Sequence, residues 1–158
     1  MNRINVGVIG AGWVGGIRAN ACAVHPLVDE LHVAEINPAR AAEIAAETDA
    51  VRVTEDWKEL VSSPQIDAVI IASTPESQRF PIVRATLEAG KHVLIEKPLA
   101  PTPEEADEAI ALCDAGNLKL AIGYTRRFDP KYAYINKAIK AGGIGEPVTC
   151  LVSRNITR

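Results

Sequence analysis

The chain has 158 residues, 47% of them hydrophobic and 23% charged, with a formal net charge of −3. This balance suits one globular domain of roughly 100–200 residues and excludes a disordered chain. No basic stripe prepares it for nucleic acid, no stretch is apolar enough to span a bilayer, and the opening MNRINVGVIG lacks the apolar core of a signal peptide.

Cys22, Cys113 and Cys150 are odd in number and outside any C-x-x-C spacing, which suggests small buried hydrophobes in a reducing compartment. Cytoplasm is the expected location. His25, His32 and His92 are scattered, without a second ligand at metal spacing, so no metal site is expected.

Short β-rich runs alternate with helical segments. Ile4–Ile9 reads as a strand, followed by a glycine turn and a helix to about Val24. Leu31–Ile36 is a second strand, and Asn37-Pro38 then supplies an N-cap and a first-turn proline for an alanine-rich helix. Val51–Val53 is a short third strand and Trp57–Ser62 a short helix. The continuous apolar run in Asp67–Ser73 marks a parallel strand buried on both faces.

A helix follows Thr74-Pro75 to about Ala89, where Gly90 is the expected residue just past its end. His92–Glu96 is the fifth strand. Thr102-Pro103-Glu104-Glu105 reads as a capping box for a helix ending at Gly116, and Leu118–Gly123 is the sixth strand. Six strands joined by crossover helices predict an α/β fold with a doubly wound parallel sheet. Beyond it, Asp129-Pro130 opens another helix that Gly142-Gly143 closes, and Val148–Ile156 alternates as a strand. A terminal strand without a neighbour leaves backbone groups unpaired, so the chain is expected to be the first half of something longer.

The first strand runs into Gly10-Ala11-Gly12-Trp13-Val14-Gly15, a G-x-G-x-x-G in strand–turn–helix context. One glycine makes the tight turn, one admits a pyrophosphate to the backbone, and one lets helix pack on strand. The helix N-terminus offers unpaired amides to phosphate. Glu35 lies about 20 residues beyond Gly15, where a carboxylate accepts hydrogen bonds from an adenosine ribose. These features make the sheet Rossmann-type. A carboxylate at Glu35 would repel a 2′-phosphate, so NAD is expected over NADP, although Arg40 is near enough in sequence to swing over.

Together with Thr74-Pro75, AGKHVLIEKPLA and RRFDPKY, this loop resembles that of the Gfo/Idh/MocA oxidoreductases over nearly the whole chain, about Asn5 to Asn155. The resemblance implies a two-domain enzyme moving hydride between a nicotinamide and a hydroxyl-bearing carbon of a sugar, polyol or inositol-like substrate. Lys97 would be its catalytic residue. Open α/β sheets bind ligands outside the carboxyl ends of their strands, and an ammonium there can stabilise a developing alkoxide. Glu96 would tune that ammonium, and the resemblance suggests a cis Lys97-Pro98 bond.

The same resemblance implies that Ser73, Thr74 and Pro75 flank the cofactor, and that Tyr124 and Arg127 line the substrate side, Arg127 alternatively anchoring a second domain. Family members often carry histidine at the positions of Arg18 and Arg79; simple surface replacement is the expectation, with added cationic character near the cofactor as the sharper alternative. The implied organisation is a cofactor domain over residues 1–123, then a connecting helix and the first strand of a second domain over 124–158. That second domain would supply a D-x-x-x-H acid/base pair, nothing like which occurs here, and a sheet through which homo-oligomers form. Two other readings are a stand-alone NAD-sensing module, whose last strand pairs with a partner or its own copy, and a degenerate relic; the intact loop, Glu35 and Lys97 speak against the relic.

Overall fold

Six runs of aliphatic and β-branched residues become six parallel strands in the computed structural model, which describes residues 2–153. They are β1 (Ile4–Ile9), β2 (Val28–Ala34), β3 (Arg52–Thr54), β4 (Ala68–Ile71), β5 (His92–Ile95) and β6 (Leu120–Ile122), ordered 3-2-1-4-5-6. Val8, Val33, Val69, Ile71 and Ile95 lie at 0% exposure, as expected when helices cover both faces of a parallel sheet. Val6, Val8, Leu31 and Val33 pack with α1 (Trp13–Ala23) and α2 (Pro38–Thr48) on one face. Ile9, Val69, Ile71, Val93 and Ile95 pack with α3 (Trp57–Ser62), α4 (Arg79–Glu88) and α5 (Pro103–Ala115) on the other.

The helix caps follow from the sequence. Asn37 accepts from the amides of Ala39 and Arg40, Asp56 from Lys58, and Thr102 from Glu105. The expected capping box at Thr102 is only half formed. Glu105 Oε2 is buried without a partner, so the carboxylate does not return the bond. Gly90, at φ +73°, ends α4: its amide donates to Leu87 O and that of Lys91 to Thr86 O, the paired bonds of a Schellman motif.

Several expected boundaries move. β2 is Val28–Ala34 rather than Leu31–Ile36, because Ile4 pairs with Val28 and draws the acidic Asp29-Glu30 into the ladder. The helix after Thr74-Pro75 begins as a 3-10 turn, Glu76–Gln78, before α4. No strand forms over Val148–Ser153 among the described residues, and the remainder of that expected strand lies outside them. Extended backbone without a neighbouring strand has no ladder to hold it.

The amino-terminal rim of the sheet is closed by polar locks. Lys91 is 5% exposed and donates to Ser63 O at 2.6 Å and Ile66 O at 2.8 Å. Asn5 bonds Asp67 through its amide at 2.8 Å and Gln65 O through Nδ2 at 2.9 Å.

The chain divides into two units, Met1–Gly123, which holds the sheet, and Tyr124–Arg158. In the second unit a 3-10 turn, Thr125–Phe128, precedes α6 (Pro130–Lys140), capped by Asp129. Arg126 stacks on Tyr132 and donates to its hydroxyl at 2.7 Å. No α6 residue is buried.

Candidate functional site

In the aligned register, Ala34, Ile9, Ile71, Ile95 and Ile122 form the last paired row across the sheet. The residues that follow them are Glu35, Gly10, Ala72, Glu96 and Gly123, each held by one further amide-to-carbonyl bond of 2.7–2.9 Å. The glycine loop, the acidic residue and the E-K-P turn therefore share the carboxyl rim. Side chains alternate faces along a strand, so if the row of Ile9 and Ile95 faces α4, the next row faces α1.

The glycines there serve different ends. Gly10 sits at φ +83°, and a Cβ on it would come within 2.6 Å of Ser73 Cα. A Cβ on Gly15 would overlap Gly10 O, so only glycine lets α1 seat against the turn. A Cβ on Gly12 would meet nothing within 4 Å. Packing does not require that glycine, and the space above it is left for a ligand. α1 also lacks a side-chain cap, leaving its first amides for an anion. Ala11 and Gly15 are buried, Val14 is half-buried, and Trp13 is 86% exposed beside the open cradle.

Glu35 is 8% exposed. Its Oε2 accepts from the Ala11 amide at 2.6 Å and its Oε1 from the Asn37 amide at 2.9 Å. A carboxylate has about four lone-pair positions, so two remain for ribose hydroxyls. The backbone bonds fix the carboxylate against the loop beforehand.

The E-K-P turn is gripped from both faces. On the α1 side, Arg18 Nη2 donates to Glu96 Oε1 at 2.6 Å and Nε to the same oxygen at 3.1 Å. Gly123 makes room for that carboxylate, since a Cβ there would stand 2.7 Å from Oε1. On the α4 side, Arg79 is 5% exposed; its Nε donates to Ser73 O at 2.5 Å and its Nη1 to Glu96 O at 3.3 Å and Lys97 O at 3.0 Å. One guanidinium thus joins the end of β4 to the turn after β5. Thr74-Pro75 and Lys97-Pro98 are both cis, and Thr74, Pro75 and Lys97 are exposed. Among the described residues the Lys97 ammonium has no paired carboxylate.

A family model described as an oxidoreductase family with an NAD-binding Rossmann fold matches residues 4–124. The chain belongs to the Gfo/Idh/MocA oxidoreductases. It is 35% identical over 148 residues to inositol 2-dehydrogenase of Rubrobacter xylanophilus, covering 92% of this chain and 42% of that protein. It is also 35% identical over 153 residues to levoglucosan dehydrogenase of Pseudarthrobacter phenanthrenivorans, covering 92% and 39%. A crystal structure of scyllo-inositol dehydrogenase from Lactobacillus casei with bound NAD(H) and scyllo-inositol is similar at a TM-score of 0.84 and 31% identity, covering 92% of this chain and 43% of that one. This Gfo/Idh/MocA chain spans less than half the length of these relatives, and what it carries is their NAD-binding domain.

Within that domain the structure corrects three expectations. Arg18 and Arg79 are not surface replacements: one is an ion-pair partner 25% exposed at its side chain, the other a buried clamp. Glu96 does not engage Lys97, because its carboxylate turns to Arg18. Arg40 is not free to swing, since its Nε is bonded to Ala11 O at 2.7 Å. The arginine roles are invisible in sequence because their partners lie 78 and 18 positions away; the one available signal is that both arginines stand where the resemblance expects histidine. Tyr124 and Arg127 lie in the second unit, exposed, with the Arg127 guanidinium 6.0 Å from the Tyr124 ring centroid. No helix among the described residues is long and apolar enough to cross a membrane.

Proposed function

We propose that this chain is the cofactor half of an NAD-dependent dehydrogenase acting on a sugar, polyol or inositol-like hydroxyl, with Lys97 at the reacting oxygen. One observation carries the reading: an exposed ammonium, unpaired among the described residues, stands at the carboxyl end of β5, on a backbone clamped from both faces, along the same rim as Gly12 and Glu35. Gly10, Ala11, Gly12, Trp13, Val14 and Gly15 would cradle the pyrophosphate, Glu35 would accept from the ribose, and Ser73, Thr74, Pro75 and Glu96 would border the nicotinamide side. A bound nicotinamide supplies the hydride acceptor or donor.

Lys97 then hydrogen-bonds the substrate oxygen and stabilises the alkoxide that forms as the hydroxyl loses its proton. Clamping the turn before substrate arrives lowers the reorganisation that the reaction requires. The acid/base pair would come from a second domain, to which residues 124–158 lead, with Tyr124 and Arg127 on the substrate side. Three unpaired cysteines suit a reducing, cytoplasmic setting.

The test is an NADH fluorescence titration of this chain, competed with NADPH. Saturable NADH binding that NADPH displaces poorly supports the reading. Absence of binding by either nucleotide defeats the cofactor site in this chain.

A further inference from the structure

Arg40 is linked through a single residue, Ala11, to Glu35, the proposed acceptor for the ribose. Ala11 joins the two, its amide donating to Glu35 Oε2 at 2.6 Å and its carbonyl accepting from Arg40 Nε at 2.7 Å. The rest of the guanidinium is held by carboxylates of its own helix. Nη1 donates to Glu43 Oε2 and to Glu47 Oε1, each at 3.0 Å, and Nη2 to Glu47 Oε2 at 3.5 Å. From α1, Asn20 Nδ2 donates to the same Glu47 oxygen at 2.9 Å. Gly16 leaves room for the arrangement, since a Cβ on it would overlap the end of the Arg40 side chain.

A groove lined by Gly12, Trp13, Gly16, Ile17, Asn20 and Arg40 runs beside this cluster. Hydrogen bonds donated to Glu47 and then Glu43 hold the Arg40 guanidinium's pKa above its ordinary value, and the bond accepted from Arg40 holds the Glu47 carboxyl below its own. Arg40, Glu43 and Glu47 together have a formal charge of −1, and Glu35 adds another formal negative charge. A cation that would otherwise welcome a 2′-phosphate is already neutralised.

We infer that Glu43 and Glu47 are specificity-determining residues, which occupy Arg40 and so deny its guanidinium to the 2′-phosphate of NADP. The inference rests on the NAD-binding reading above and deepens it. Glu35 alone is a rival explanation, and the test separates the two because it leaves Glu35 in place. Both carboxylates are surface groups, 64% and 42% exposed, so their neutral isosteres keep the fold.

NADH and NADPH dissociation constants are measured by fluorescence titration for the unaltered chain, for Glu43→Gln/Glu47→Gln, and for that pair combined with Arg40→Gln. The double variant should bind NADPH about tenfold more tightly, in line with one guanidinium freed to attract the 2′-phosphate at surface dielectric, while NADH affinity stays within about twofold. Adding Arg40→Gln should return NADPH affinity to its original value, because the gain runs through the guanidinium. Raising the salt should shrink the gain. Unchanged NADPH affinity with NADH binding intact overturns the inference and leaves discrimination to Glu35. A gain that survives loss of Arg40 overturns it as well. Failure of the unaltered chain to bind NADH brings down the cofactor reading and this inference with it.

Discussion

Replacing Arg79 with alanine should cost the domain more than any exposed arginine would. The guanidinium is 5% exposed and serves three carbonyls, those of Ser73, Glu96 and Lys97. A hydrogen bond from a charged donor contributes about 1.5–3 kcal/mol, but water entering the vacated space would partly replace each one. About 1 kcal/mol per carbonyl gives a loss near 3 kcal/mol. A domain of this size melts roughly 4 °C lower per kcal/mol, so Tm should fall by about 12 °C. Arg79→Lys keeps the charge yet cannot span carbonyls on two strand ends, and should recover only part of the loss. Calorimetry or circular dichroism of the two variants decides the matter. A Tm within about 2 °C of the unaltered protein for Arg79→Ala would refute the clamp and restore Arg79 to an ordinary surface position.

Three further outcomes follow from the geometry. Gly123→Ala puts a Cβ 2.7 Å from Glu96 Oε1; displacing that buried carboxylate from Arg18 should lower stability by about 1–3 kcal/mol in denaturant titration, and no change would mean the carboxylate moves freely. Lys97→Met should leave Tm within about 1–2 °C, because the side chain is exposed and, among the described residues, unpaired, while a protein extended to the length of its relatives should lose about 10²–10⁴-fold in turnover; a large Tm loss would recast Lys97 as a structural residue. Burial holds the Lys91 ammonium below its ordinary pKa of 10.5. Between the lowered value and 10.5 the unfolded chain binds more protons than the folded one, so this residue makes stability rise with pH over that window. Lys91→Met should lose about 1–3 kcal/mol by orphaning two carbonyls, and should also lose that upward slope; parallel stability–pH curves would refute the burial effect.

Local chemistry made most of the scaffold legible. Asn37-Pro38, Thr102-Pro103 and Asp129-Pro130 announce their helices because cap and first-turn residues act within three positions. The placing of the glycine turn and Glu35 at one rim was readable for a related reason, since a βαβ unit fixes their spacing whatever else the chain does. The start of β2 was not readable, because Asp29-Glu30 looks polar until Ile4 pairs alongside Val28. The half-formed cap at Glu105 and the missing ladder at Val148–Ser153 depend likewise on neighbours that a local pattern does not specify. The arginine clamps were hidden most deeply, because each guanidinium is defined by backbone or carboxylate brought to it by folding.

Lys91, Asn5 and their partners secure the rim opposite the candidate site, one strand length from Lys97 and Glu35. Substitutions on the two rims share no partner, so their effects should add. Holding and choosing are therefore separable tasks in this sheet. A lineage or a designer can rewrite the carboxyl-end loops for a new substrate or nucleotide while the far rim keeps the strands in register. It can equally harden the far rim without touching selectivity.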